Sequence, residues 1–77
     1  MKLHLHSIGQ TLYDGQVEQI GLSAAGGDLT ILPGHVPLVT LLKNGKIEVK
    51  IKNENKIFKI RGGLAQIHGD SAIILVD

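Results

Sequence analysis

Residues 46–52 read Lys-Ile-Glu-Val-Lys-Ile-Lys, with Ile47, Val49 and Ile51 alternating strictly against Lys46, Glu48, Lys50 and Lys52. Successive side chains of a strand point to opposite faces, so this segment sets one face on a core and the other in water. Phe58 and Ile60 alternate with Lys59 and Arg61 in the same way, as do Leu3 and Leu5 with Lys2, His4 and His6. Helical spacing of apolar residues is missing, and β-branched residues, which suit strands, are plentiful. The pattern restricts the chain to an all-β fold.

Turn residues divide the strands. Asn44-Gly45 lies between Leu38–Leu42 and Ile47–Ile51, and this dipeptide predicts a type I′ hairpin. Asn53-Glu54-Asn55 predicts the next reversal, and Gly69-Asp70 another, between Leu64–Ile67 and Ala72–Val76. The second half therefore reads as a meander, and the spacing of about 8–12 residues suits a sandwich or barrel. Val17, Ile20 and Leu22 break the alternation, which predicts a bulge near Glu18-Gln19. Ala24-Ala25-Gly26-Gly27 reads as a flexible loop, and Gly62-Gly63 as a sharp bend. With 77 residues, no internal repeat and no linker, residues 1–77 form one domain.

Leu38–Leu42 and Ile73–Val76 are apolar on both faces, where a sandwich strand should be wet on its outer side. Either a partner covers the outer faces, or twist buries both sides. A chain of this mass has roughly 4,500 Å² of surface, and a standard interface takes about 800 Å² per partner, so one partner could cover about a fifth of it.

Composition removes several functions. Lys plus Arg number 8 against 7 for Asp plus Glu, which gives no basic footprint for nucleic acid. Tyr13 and Phe58 are the only aromatics, too few for a single-strand stacking platform. There is no cysteine, hence no disulfide framework, thiolate metal site or thiol nucleophile. The longest apolar run, Ala72–Val76, is too short to span a bilayer. The N-terminal stretch lacks the apolar core of a secretory signal. These features suit a soluble, cytosolic protein.

No catalytic arrangement emerges. Ser7, Ser23 and Ser71 lie outside any Gly-x-Ser-x-Gly elbow, and the carboxylates are scattered over turns and wet faces. Neither glycine pair matches a phosphate-binding loop. His4 and His6 share a strand face, a spacing that can ligate a metal, but only His35 and His68 remain to complete a set. The residues alone thus indicate a non-enzymatic binding or structural domain, without cofactor or metal. The alternative is a stand-alone β-sandwich that binds a small ligand or metal. Lys50, Lys52, Lys56, Lys59 and Arg61 read as a solvated face that resists edge aggregation.

Leu32-Pro33-Gly34-His35 suits a type II turn, with Pro33 second and Gly34 third, where positive φ is required. Pro37 then holds Val36 extended. The run from Gly27 to Gly45, centred on Leu-Pro-Gly-His-Val-Pro-Leu, closely resembles the signature of the epsilon subunit of F-type ATP synthase. Leu12–Glu18, Arg61–Ile67 and Ile73–Asp77 resemble later and earlier segments of that family in order. Val36, Asn44, Leu64, Gln66 and Thr30 depart mildly from its pattern. The chain stops where the family's C-terminal pair of helices would begin.

The resemblance implies a small antiparallel β-sandwich, flattened and jelly-roll-like, with a C-terminal meander. It implies a non-catalytic rotor subunit of the central stalk that joins the gamma subunit to the membrane c ring and helps couple ion-driven rotation to ATP synthesis. Membrane association would come only through the complex, on the cytoplasmic face or its organelle equivalent. By position, Asp28, Leu29 and His35 correspond to the ring-facing residues, and Ser7, Val39 and Arg61 to the gamma-facing ones.

Overall fold

The computed structural model describes all of residues 1–77. The alternation read from the sequence runs through eight strands and no helix. They are β1 (Lys2–Ser7), β2 (Gln10–Gln16), β3 (Gln19–Ala24), β4 (Gly27–Ile31), β5 (Leu38–Ile51), β6 (Glu54–Ile60), β7 (Gly63–His68) and β8 (Ser71–Val76). Hydrogen-bonded neighbours follow the order β2-β1-β8-β7-β5-β3-β4, and β6 adds to β5. The sheet curls until its two halves face each other. One half holds β2, β1, β8, β7 and the start of β5; the other holds β4, β3, the rest of β5 and β6. Between them lie Leu3 and Leu5 of β1, Ile67 of β7 and Ile74 of β8, with Ile20, Ile31, Ile47 and Val49 from the other half, all essentially inaccessible. At the open side, the Lys56 ammonium of β6 sits 5.8 Å from the centre of the Tyr13 ring of β2, a cation–π contact between the halves.

The all-β sandwich expected from the sequence is present, with two refinements. The pairing of β1 with β8 is parallel, so the sheet is mixed. The C-terminal meander is interrupted, because β7 pairs with the start of β5 and not with β6.

The Asn44-Gly45 hairpin does not form. Both residues lie inside the 14-residue strand β5, and neither has positive φ. β5 passes here from pairing with β7 to pairing with β3 and β6. Gly45 is required for a different reason. A Cβ there would overlap the Ser23 side chain, with Ser23 Cβ only 2.5 Å away. Ser23 alone stands opposite Lys43–Lys46, the extra residues of an irregularity in β5 between the Leu22–Ile47 and Ala24–Leu42 pairs, and its Oγ accepts a hydrogen bond from the Lys46 amide at 3.0 Å.

Other local readings shift. The break at Val17–Glu18 is no bulge but a crossing between the halves. The Val17 amide bonds to the Met1 carbonyl of one half, and the Glu18 amide to the Lys50 carbonyl of the other. Ala24 pairs with Gly27, so the supposed flexible loop is a two-residue hairpin turn. The reversal after β5 falls at Lys52-Asn53, with Lys52 at φ 52°, ahead of the predicted position. Gly69-Asp70 turns as expected. At the corner, Gly34 has φ 82° and the His35 amide bonds to the Leu32 carbonyl at 3.1 Å, as a type II turn requires.

Candidate functional site

Register across the first half builds a surface from the sequence upward. Leu41 lies opposite Leu64, Leu64 opposite Leu75, and Leu75 opposite His6. In the next outward row, Val39 faces Gln66, Gln66 faces Ile73, and Ile73 faces His4. The two runs that are apolar on both faces therefore lie close together, with β7 between them. Twist does not bury their outer sides. Val39 and Leu41 are each 64% exposed, Leu75 51%, Ile73 44% and Leu64 39%. Their inward neighbours Leu42, Ile74 and Val76 are buried. An exposed apolar patch rimmed by polar groups marks an interaction surface.

The rim on the β1–β2 side is polar and ordered. Lys2 Nζ and His4 Nδ1 lie 3.1 and 3.4 Å from the same Asp14 carboxylate oxygen. The hydrogen bond from the Lys2 ammonium holds the Asp14 carboxyl below the usual carboxylate range. The His4 and His6 rings stack nearly parallel with centres 6.4 Å apart, and His6 Nδ1 lies 3.1 Å from Thr11 Oγ1. No group of three or more His, Asp or Glu residues is arranged to hold a metal ion.

Of the residues expected to face gamma, Val39 sits within the apolar patch. Ser7 pairs with Val76, which pairs with Gly63, so it stands at the end of an inward-facing row, half-buried. Arg61 is exposed just ahead of β7 at the same end. Of the three, the structure puts only Val39 on the apolar face itself.

The expected ring-facing set is more dispersed. Asp28 and Leu29 are neighbours on edge strand β4; Asp28 points to water while Leu29 packs against the core. His35 lies in the corner beyond the far end of β4. Asp28 and Leu32 are four residue steps apart, about 13 Å at strand rise. His35 Nδ1 donates to the Val36 carbonyl at 2.7 Å, which leaves Nε2 as the ring atom free to meet a partner. Asp28 also lines a shallow groove of about 260 Å³ over Gly21, with Ser23, Thr30, Lys46 and Glu48. Leu32 and Val36, 52% and 70% exposed, make the corner more apolar than the histidine suggested.

In the sequence Leu64 stands out only as a strand residue and a departure from the family's pattern. Leu32 and Val36 were likewise read only as parts of the turn. The fold and these surfaces define a small β-sandwich domain with an exposed apolar sheet face of the kind used for docking. The family model of the ATP synthase delta/epsilon chain β-sandwich domain matches residues 1–77, and the chain belongs to that family.

The chain is 38% identical over 78 residues to the ATP synthase epsilon chain of Acinetobacter baylyi, covering 100% of this chain and 56% of that protein. It is 38% identical over 68 residues to the epsilon chain of Prochlorococcus marinus, covering 88% and 51%. It thus spans about half the length of these relatives. Its fold matches a chain in the cryo-EM structure of Euglena gracilis mitochondrial ATP synthase (OSCP, F1 and c-ring) with a TM-score of 0.90 at 23% identity, covering 96% of this chain and 48% of that one. A chain in the central stalk and c-ring structure of the Tetrahymena thermophila mitochondrial enzyme matches with a TM-score of 0.83 at 19% identity, covering 99% and 62%. The family is that of a non-catalytic chain of ATP synthase, and the reading of this protein as no enzyme rests on that membership.

Proposed function

We propose that this domain is a rotor part of the ATP synthase central stalk, held to the gamma subunit by the outer face of β5, β7 and β8. The exposed cluster of Val39, Leu41, Leu64, Ile73 and Leu75 carries this reading. A standard interface takes about 800 Å² per partner, about a sixth of the 4732 Å² surface of this chain. Ser7 and Arg61 form the polar border of that contact. Asp28, Leu29 and His35, on the β4 side of the molecule, meet the polar loops of the c ring. The Asp28 carboxylate suits a charge-assisted bond to a basic loop side chain, and His35 Nε2 a bond to a donor. Leu29 contributes by supporting β4 from the core.

The domain performs no chemistry in this role. Its strands satisfy one another's backbone groups, and the core is close-packed. Such a body turns with its neighbours and yields little under torque. It lies at the membrane only through the complex, on the face where the catalytic head sits, and so contributes to ion-driven ATP synthesis by coupling alone. Size-exclusion chromatography with the cognate gamma subunit tests the reading. Stoichiometric co-elution is expected; separate elution of two folded proteins would contradict it.

A further inference from the structure

A single amide stands at the centre of the apolar face. Gln66 pairs with Val39 on one side and Ile73 on the other, and all three side chains are exposed. Leu64 lies two residues along the same strand. Its cross-strand partners Leu41 and Leu75 are the diagonal neighbours of Gln66, within reach of a long side chain. The exposed apolar residues of this face thus surround one polar position. That position has no task in the fold. The Gln66 side chain makes no hydrogen bond inside the chain, and a β-branched or aromatic residue would suit a strand better.

We infer that Gln66 keeps the free domain monomeric, so that the face stays open for its partner; the purpose, though not the measurement, rests on the docking reading above. With an apolar residue at this position the patch would be continuous, and a large continuous patch invites association. A two-fold contact uses the same patch on both copies, so its centre is covered twice. Where the axis passes beside Gln66, each amide lies against Val39, Leu64 or Ile73 of the other copy. It then loses water and gains no partner, which is costly. Where the axis passes through Gln66, the two amides can bond each other. Each then spends one N–H and its carbonyl, and its second N–H stays unpaired. Either way the self-contact is weakened at its centre, where the energy of an interface is concentrated.

The test is sedimentation equilibrium of the chain alone at about 100 µM, which detects weak dimers. The parent should be monomeric. Gln66→Leu should dimerise, with an association constant about a hundredfold or more above the parent's, since each copy buries a leucine in place of an amide. Asn55→Leu makes the same kind of change beside Ile57 on the outer face of the other half, and it should stay monomeric. Gln66→Leu combined with Val39→Asp should return to monomer, which locates the association on this face. If Gln66→Leu folds poorly by far-UV circular dichroism, Gln66→Met replaces it. A dimeric parent, a monomeric Gln66→Leu, a dimeric Asn55→Leu, or a dimer that survives Val39→Asp would each overturn the inference. No gamma subunit enters the measurement, so those results leave the docking reading standing. Failure of the parent to bind gamma would remove the partner and leave the effect of Gln66 on self-association intact.

Discussion

Gly45→Ala puts a methyl group where Ser23 already stands. The new Cβ overlaps the Ser23 hydroxyl and lies 2.5 Å from Ser23 Cβ. Ser23 cannot swing away freely: it is 9% exposed, and its Oγ holds the Lys46 amide. Overpacking of this kind costs about 1–3 kcal/mol. Pulling Ser23 off the Lys46 amide leaves a part-buried donor unpaired, at about 1–3 kcal/mol. Together the loss is about 2–6 kcal/mol, against a total stability of about 4–12 kcal/mol for a chain of this length. Urea unfolding followed by far-UV circular dichroism reads it as a midpoint lowered by about 2 M or more, taking an m-value of about 1 kcal/mol/M. Asn44→Ala should change stability by no more than about 0.5 kcal/mol, because Asn44 is exposed and makes no turn. Ser23→Gly should recover part of the Gly45→Ala loss by removing the obstacle. A neutral Gly45→Ala, or an Asn44→Ala that costs as much, would refute this account of the strand crossing.

Three further outcomes follow. Gly34→Ala meets no atom within 4 Å but must hold φ near 82°, so it should lower stability by about 1 kcal/mol, read as a lower thermal midpoint. Asp14 has its carboxyl held down by Lys2. Its contribution is therefore complete above the ordinary carboxylate value of about 4 and is lost as pH falls through the depressed folded value. Asp14→Asn should flatten that acid limb of the stability curve, with little change at neutral pH because the pair is exposed. Asp28→Lys should weaken ring attachment in the assembled enzyme, measured as proton pumping per ATP hydrolysed, and leave gamma binding unchanged. Normal coupling in that variant would remove Asp28 from the contact.

Much of the fold was legible in this sequence because its strands are half-wet. Lys46–Lys52 and Lys2–His6 declare their faces by alternation alone. The corner was legible too, since Pro33 and Gly34 meet a geometric demand that few residues satisfy. Asn44-Gly45 misled for an instructive reason. The dipeptide permits a type I′ turn, but here the glycine makes room for a side chain 22 residues earlier. That neighbour becomes visible only once β3 and β5 are paired. The crossing at Val17–Glu18 and the parallel pairing of β1 with β8 are likewise long-range choices that local residues do not encode. The same limit applies to the docking face. Its apolar runs stood out in the sequence. The positions of Leu64 between them and of His4 and His6 at their border depend on register across four strands.

The affinity of Val39→Asp for the gamma subunit, set beside that of Ile57→Asp, tests the central claim most directly. Val39 is 64% exposed on the proposed docking face, and Ile57 is 56% exposed on β6 of the other half. Both variants should keep the parent's unfolding midpoint, since neither side chain fills the core. Val39→Asp should weaken binding by about thirtyfold or more, the effect of about 2 kcal/mol at a buried contact, and Ile57→Asp should leave it unchanged. Equal affinities for the two variants, or loss confined to Ile57→Asp, would contradict the assignment of this face to gamma.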